Sequence, residues 1–443
     1  DATIRGNLNQ RISDWISARA AIPERFRWCI PMALSPLVLH WEKTEGLTLS
    51  GETAAHDGGP RLFFHLRKKG DTLDIDRLEV LHNGVHAAAT LTLGTNSVAA
   101  TFYGVLRHDT VSALLLENRL LTGSLQGDFN VRCDLSPPFL AAMTGRLRAE
   151  GLDLAPAGLP LFVSRASMTG TGASVDVESA RFRWGEKEYT VSGEATRSRE
   201  NLLLDLDVTA GQIDWTEIEP LLDRSAPPDA PQNPLLRGRI GLACDSLTLN
   251  PAISLDPFEA RLELEENRIG IVFQKANVCG VSFPGVISLT PEQVLFSFEP
   301  SASQQSLEPS ITCLKKGKIL MDGRYDLTGG LEFEWDRRKS IWESIEGPVS
   351  LSAEDGRIYR AVMLGNLFSL LNIQEVLSGH LPDLEKDGFP YKTSTFSGRF
   401  AEGRFELESG VIDSPAMTIF LEGTTDYINR KHDLTLVVAP LKT

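Results

Sequence analysis

His82-Asn83-Gly84-Val85-His86 holds two histidines four residues apart, the spacing at which two imidazoles on one helix face can share a metal ion. Asn-Gly, however, marks a turn, and a turn carries the two rings away from a common helix face. No metal site is expected there. Asp74/Asp76 and Asp205/Asp207 have types suited to acid–base or calcium chemistry, but each pair alternates with leucine or isoleucine. Such alternation puts both carboxylates on the wet face of a strand, where charge keeps a sheet soluble and blunts its edges. Gly170-Thr171-Gly172-Ala173-Ser174 reads as a flexible turn, and the sequence has no GxSxG, Walker or GxGxxG pattern. The expectation is a protein without catalytic residues, metal or cofactor, and so not an enzyme.

The five cysteines, Cys29, Cys133, Cys244, Cys279 and Cys313, form no CxxC and no Cys/His cluster, which argues against zinc and thioredoxin-type redox chemistry. Cys279 and Cys313 fall in neighbouring strand-like segments and are the candidate disulfide, a pairing that fits an oxidising periplasm.

The elements that must position these residues are mostly strands. Alternation of apolar and polar residues with period two runs through TLDIDRLEV, NLLLDLDVTA, ARLELEENRIGIVF, LEFEW, RFELES and HDLTLVV. In the first half the apolar faces carry Leu73, Ile75, Phe182, Trp184, Leu202, Leu204, Leu206 and Val208. In the second half they carry Leu262, Leu264, Ile271, Phe273, Leu331, Phe333 and Trp335, then Phe405, Leu407, Ile419, Leu421, Leu434 and Leu436. On alternation alone, large aromatics such as Trp184, Phe333, Trp335, Phe405 and Phe420 are read as core.

Short connections carrying Asn83-Gly84, Asp322-Gly323 and Asp355-Gly356 suggest tight hairpins and hence antiparallel neighbours. About 20 strands spaced by about 4.8 Å would make a sheet roughly 100 Å long. A looser repeat joins VSGEATRSRENLLLDLDV, LMDGRYDLTGGLEFEW and LEGTTDYINRKHDLTLVV around Gly193, Gly323 and Gly423, at spacings too uneven for a solenoid.

Helices are few. The N-terminal stretch has Ile4, Leu8, Ile12, Trp15 and Ile16 at helical spacing, DTVSALLLENRLL offers Asp109 as a cap, and Asp214…Glu217 resembles a capping box. RAVMLGNLFSLLNIQEVL places Val362, Met363, Leu367, Leu370, Leu371 and Val376 on a wide apolar arc that ends at Gly379 and Pro382. The proline-rich DRSAPPDAPQNP divides the chain into residues 1–223, a linker at 224–234, and residues 235–443.

At 443 residues and 42% hydrophobic content, the chain can bury a sizeable apolar surface. Its net charge of −15 repels phosphate backbones, so nucleic-acid partners are not expected. No run reaches the ~18 uninterrupted apolar residues of a membrane span. A start at Asp1 without Met is read as an excised or processed piece, any signal peptide or anchor lying outside it. A sheet amphipathic along its whole length must cover its greasy face with a second sheet or helices, or curl into a trough. Pattern alone leaves stacked sandwiches and a curved groove both open.

The last hundred residues add a resemblance. A Gly-Arg-Ile start (Gly356–Ile358) leads to the apolar helix with Leu-Leu-Asn (Leu370–Asn372), then Leu-Pro-Asp-Leu (Leu381–Leu384) and Gly-Phe-Pro-Tyr (Gly388–Tyr391). A Gly-rich strand series follows, ending in Val-Ala-Pro-Leu-Lys-Thr. In this order of parts, residues from about 347 to 443 resemble the AsmA-like C-terminal domain, and the upstream part is similar in style to the larger YhdP- and TamB-like proteins. The resemblance implies a mainly β protein, an elongated, curved antiparallel β-sheet forming an open hydrophobic groove with a few short helices. It also implies a periplasmic protein of a Gram-negative envelope, held by an inner-membrane anchor outside this sequence.

The implied function is transfer of phospholipid between inner and outer membranes, with phospholipids as ligands and envelope proteins of the periplasm or outer membrane as further partners. On that reading the residues of the apolar faces line the lipid groove, and the helix bearing Leu367 and Leu371 gates one end. The competing readings are an assembly factor or scaffold offering its sheet edge to outer-membrane proteins, and an adhesin built of stacked sandwiches.

Overall fold

The computed structural model describes residues 2–8, 32–42, 46–55, 58–115, 117–134, 140–155, 160–198, 201–216, 235–250, 253–315, 321–335, 340–359, 388–415 and 417–440. The proline-rich stretch at 224–234, the segment with Leu367 and Leu371 expected to be a helix, and Cys29 lie outside these residues. The described chain is mainly β, in open antiparallel sheet, with two short α-helices. It separates into two compact units, Asp1–Gly211 with Asp223–Ile240, and Gln212–Leu222 with Gly241–Thr443.

In the first unit, strands β1 (Ala2–Leu8), β2 (Met32–Glu42), β3 (Gly46–Ala55), β4 (Arg61–Lys69), β5 (Thr72–His82) and β6 (Val85–Leu93) pair antiparallel in chain order. The same meander continues through β7 (Ser97–Arg107), β8 (Leu121–Asp134), β9 (Leu140–Asp153), β10 (Leu161–Thr171), β11 (Ser174–Trp184), β12 (Lys187–Arg197) and β13 (Asn201–Asp214, as far as Gly211). Asn83 and Gly84 join β5 to β6 with φ of 52° and 73°, the doubly positive turn that matches the twist of the strands it links. Helix α1 (His108–Leu114) starts directly at the end of β7.

In the second unit the strands are β14 (Leu235–Asn250, from Gly241 onward), β15 (Ile253–Leu255), β16 (Phe258–Leu264), β17 (Ile269–Val278), β18 (Val281–Ser282), β19 (Gly285–Leu289), β20 (Val294–Phe298) and β21 (Ser301–Ser306). Helix α2 (Leu307–Lys315) follows β21 without a break. Then come β22 (Arg324–Gly329), β23 (Leu331–Trp335), β24 (Gly347–Ile358), β25 (Phe389–Ala401), β26 (Arg404–Asp413), β27 (Met417–Asp426) and β28 (Lys431–Pro440). Strand β17 is a fork. Its first half pairs with β19, which leads to β20 and β23. Its last residues pair with β18, which leads through β21, β22 and β24 to β28.

Several sequence expectations are corrected. Residues Ala2–Leu8, read as the start of a helix, form β1. Asp355-Gly356 sits inside β24 rather than in a hairpin, and Asp322-Gly323 precedes β22, where Asp322 ties down the backbone of Arg357. Helix α1 begins one residue before Asp109, whose carboxylate instead accepts from the Thr110 N–H. The 28 strands among the described residues exceed the expected 20 because pieces as short as β15 and β18 are too brief to show a period.

Candidate apolar lane

Residues directly opposed across antiparallel strands point to the same face, so the register traces where apolar side chains line up. In the first unit one row runs Leu66–Ile75–Leu91–Ala100–Val131–Met143 from β4 to β9. Another runs Met168–Val177–Gly193–Leu206 from β10 to β13, beside Val163–Phe182–Tyr189 and Val191–Val208. Bulges interrupt the pairing between Ile75 and Leu78 and between Val177 and Ala180, yet the apolar set stays on one face. Leu73, Ile75, Phe182, Leu202, Leu204, Leu206 and Val208 all lie on this lane and are half-buried. Trp184, opposite Leu161 at the end of β11, is exposed.

The other face is wet. Its row Tyr103–Asp128–Arg146–Thr169–Asp176–Glu194–Asp205 is almost entirely polar, and Asp205 accepts from Arg239 at 2.6 Å. The carboxylate pairs Asp74/Asp76 and Asp205/Asp207 thus serve the solvated side, Asp76 being bonded to Arg67 at 3.0 Å.

The three glycines of the sequence repeat share a physical cause. Gly193, Gly323 and Gly423 have φ of 119°, 118° and 135°, a region that L side chains avoid. At Gly193 a Cβ would come within 2.1 Å of the Asp205 carbonyl oxygen. Glycine there permits the close approach of β12 to β13 and leaves a side-chain-free position in the lane, opposite Leu206.

Protein closes the lane at one end of the strands. In the first unit α1 lies by the β5–β6 turn, where Val111 and Thr110 are buried, and Leu114 packs on the cluster of Leu49, Leu62, Phe64 and Val80. His82 Nδ1 is hydrogen-bonded to Thr110 Oγ1 at 3.0 Å, so this histidine anchors the helix.

In the second unit α2 does the same. Leu307 and Ile311 pack with Val281, Tyr325, Ala353, Ile412 and Ile419, and the Tyr325 hydroxyl donates to Ser310 Oγ at 3.0 Å. Cys279, in the turn after β17, and Cys313, on α2, form a disulfide with Cα atoms 5.6 Å apart. Cys313 is therefore helical, not strand-borne as its sequence context suggests. The Gly-Phe-Pro-Tyr segment opens β25 and feeds this same core: Phe389 and Tyr391 are buried, and the Tyr391 hydroxyl donates to the Asp322 carbonyl. Burial, together with the charges of Asp322 and Asp355, pushes the Tyr391 phenol up to about 12.

Away from α2 the lane of the second unit is half-exposed. Leu262–Ile271–Ile287–Phe296–Phe333 and Leu264–Ile269–Leu289–Val294–Trp335 run in register, with Phe273–Gly285–Phe298–Leu331 alongside. Phe258, Phe273, Phe296, Phe298 and Phe333 form a chain of ring contacts at 4.4 to 6.3 Å. On the other branch Leu407–Gly423–Leu434 and Leu421–Leu436 continue the face, and Phe405 packs on Phe400.

Ile419 differs from the other sequence candidates: at 0% exposure it is sealed in the core beneath α2 and offers no surface to a ligand. Trp335 and Leu434 are more exposed than core residues. Phe420, expected in the core, lies on the opposite face beside Val437 and is 45% exposed.

Sequence reading missed the stretch from Leu91 to Met143. Alanine, threonine and glycine dilute the alternation in VHAAATLTL and LAAMTGRLRAEGLD, and only the register reveals them as lane. Among the described residues no group of three or more His, Cys, Asp or Glu is placed to hold a metal ion, and no helix is long and apolar enough to cross a membrane. Burial raises the Cys133 thiol and pushes Cys244 up to about 11, which keeps both protonated and unreactive near neutrality. No family model, curated protein or solved structure matches the chain.

Proposed function

We propose that this protein is a lipid-transfer module of a Gram-negative periplasm that carries phospholipid acyl chains between inner and outer membranes along the apolar face of its sheets. The observation that carries this reading is the in-register apolar lane of each unit, half-exposed over most of its strands and, among the described residues, covered by a helix only at one end. The resemblance of the last hundred residues to the AsmA-like domain supports the same reading.

A soluble protein rarely leaves a long contiguous apolar face without a role. An acyl chain of about 16 carbons gains on the order of 12 kcal/mol on leaving water, at about 0.8 kcal/mol per CH₂, and the lane offers it a surface of matching chemistry. The charged headgroup stays in water at the rim, so neither a specific pocket nor a catalytic group is needed. Half-burial is the compromise that fits cargo which must also leave. Fully buried side chains admit nothing, and fully exposed ones would drive aggregation.

Native mass spectrometry of the purified chain, with organic extraction and phospholipid analysis, tests the proposal. Retained phospholipid, together with faster transfer of labelled phospholipid between vesicles, is the expected result. A lipid-free protein that leaves the transfer rate unchanged overturns it.

A further inference from the structure

The wet face of the first unit has a depression of about 360 Å³ built on β5 to β9, within the lower range of small-molecule sites. Its chemistry differs from that of the lane behind it. Tyr103 is 59% exposed, a large ring left in water on a mostly polar face. Asp128 stands directly opposite Tyr103, and Asn130 directly opposite Thr144. Thr90 and Thr101 are joined by a 2.6 Å hydrogen bond beside them. From these observations we propose that the depression binds a neutral saccharide, with one pyranose ring stacked on Tyr103.

The charges select for neutrality. Arg77 spends its guanidinium on both oxygens of Glu79, at 2.9 and 3.0 Å, and lies over the Phe63 ring at 5.3 Å. Asp76 is held by Arg67. These ion pairs form a fixed rim and do not recruit an ionic ligand. Asp128 lies directly opposite Arg146 on β9, so its charge is balanced in register, and its carboxylate accepts from neighbouring hydroxyls, which a sugar presents in adjacent pairs. The Asn130 amide supplies both a donor and an acceptor, and the Thr144 hydroxyl adds another of each. The Tyr103 ring gives the apolar face of a pyranose a flat partner at small loss of side-chain freedom. A carboxylate, a carboxamide, hydroxyls and one aromatic plane in a shallow concavity are the complement of a polyol.

Isothermal titration of the full chain with cellobiose, maltose and N,N′-diacetylchitobiose tests this, with a glucuronate-containing disaccharide as the anionic control. Saturable binding of at least one neutral probe at millimolar concentration is expected, without binding of the control. Tyr103→Ala and Asp128→Asn should each weaken it by about tenfold or more, while Tyr103→Phe retains it and phospholipid retention is unchanged in all three. No binding of any neutral probe overturns the proposal. So does binding that persists unchanged in Asp128→Asn and Tyr103→Ala.

Discussion

Phe296 on β20 and Phe333 on β23 are direct partners in the strand register, and their rings stack with centroids 4.4 Å apart and planes inclined by 9°. Stacked rings on a half-exposed face are worth their mutual attraction even without a ligand, so the pair is stable flooring for the lane. A carboxylate at either position would need its own hydration and would make an acyl chain lying across it desolvate a charge. Phe296→Asp should therefore lower affinity for a fluorescent acyl probe by about tenfold or more while leaving the far-ultraviolet circular dichroism intact. Unchanged probe affinity would count against the aromatic floor as a binding surface.

Ile419 and Leu206 occupy equivalent alternation positions in sequence, but one is sealed and the other half-exposed. Truncating a sealed side chain leaves a cavity, so Ile419→Ala should cost about 2 to 5 kcal/mol. Leu206→Ala removes surface already partly in water and should cost about 1.5 kcal/mol or less. Urea midpoints of the lipid-free protein measure both. Equal losses would mean that Leu206 is also enclosed.

The contrast between these two residues shows where sequence reading succeeds and where it stops. Period-two alternation places Leu204, Leu206, Ile271 and Phe333 on a common face, because pleating fixes side-chain direction locally. Whether that face meets water or a helix depends on contacts distant in sequence, and no local pattern encodes them. Ile419 is sealed within a cluster that also holds Leu307 of α2, about a hundred residues upstream. Asp355-Gly356 misled for the same reason: a positive φ at Asp355 (50°) serves a hairpin turn or a distortion within a strand equally well. The alanine-rich β6 and β9 were illegible because small residues blur apolar and polar faces.

Cys279 and Cys313, 34 residues apart in sequence, tie α2 to the turn after β17. The link shortens the loop that the unfolded chain can explore, which typically contributes about 2 to 4 kcal/mol. Cys279→Ser with Cys313→Ser should lower the thermal midpoint accordingly. Hydrogen exchange should show α2 amides losing protection before those of β25 to β27. Dithiothreitol should lower the midpoint of the parent chain but leave the double variant unmoved. A midpoint insensitive to both treatments would show that Leu307 and Ile311 hold the helix unaided.

Tyr391 makes the core beneath α2 sensitive to alkali. Its phenol is raised from an ordinary 10.0 to about 12, first by burial and then by the charges of Asp322 and Asp355. The folded state therefore holds this proton more tightly than the unfolded state does. The resulting stability is fully present below pH 10 and is lost as pH rises through 12, a swing of about 2 to 3 kcal/mol for two pKa units. Tyr391→Phe should forfeit the hydrogen bond to the Asp322 carbonyl, about 1 kcal/mol near neutrality, and should flatten the decline between pH 10 and 12. Residual slope is expected from Tyr359, whose phenol is also raised, chiefly by its hydrogen bond to Asp322. Urea titrations from pH 8 to pH 12 on both proteins decide the matter. A Phe variant that follows the parent's alkaline decline step for step would assign the sensitivity to groups other than Tyr391.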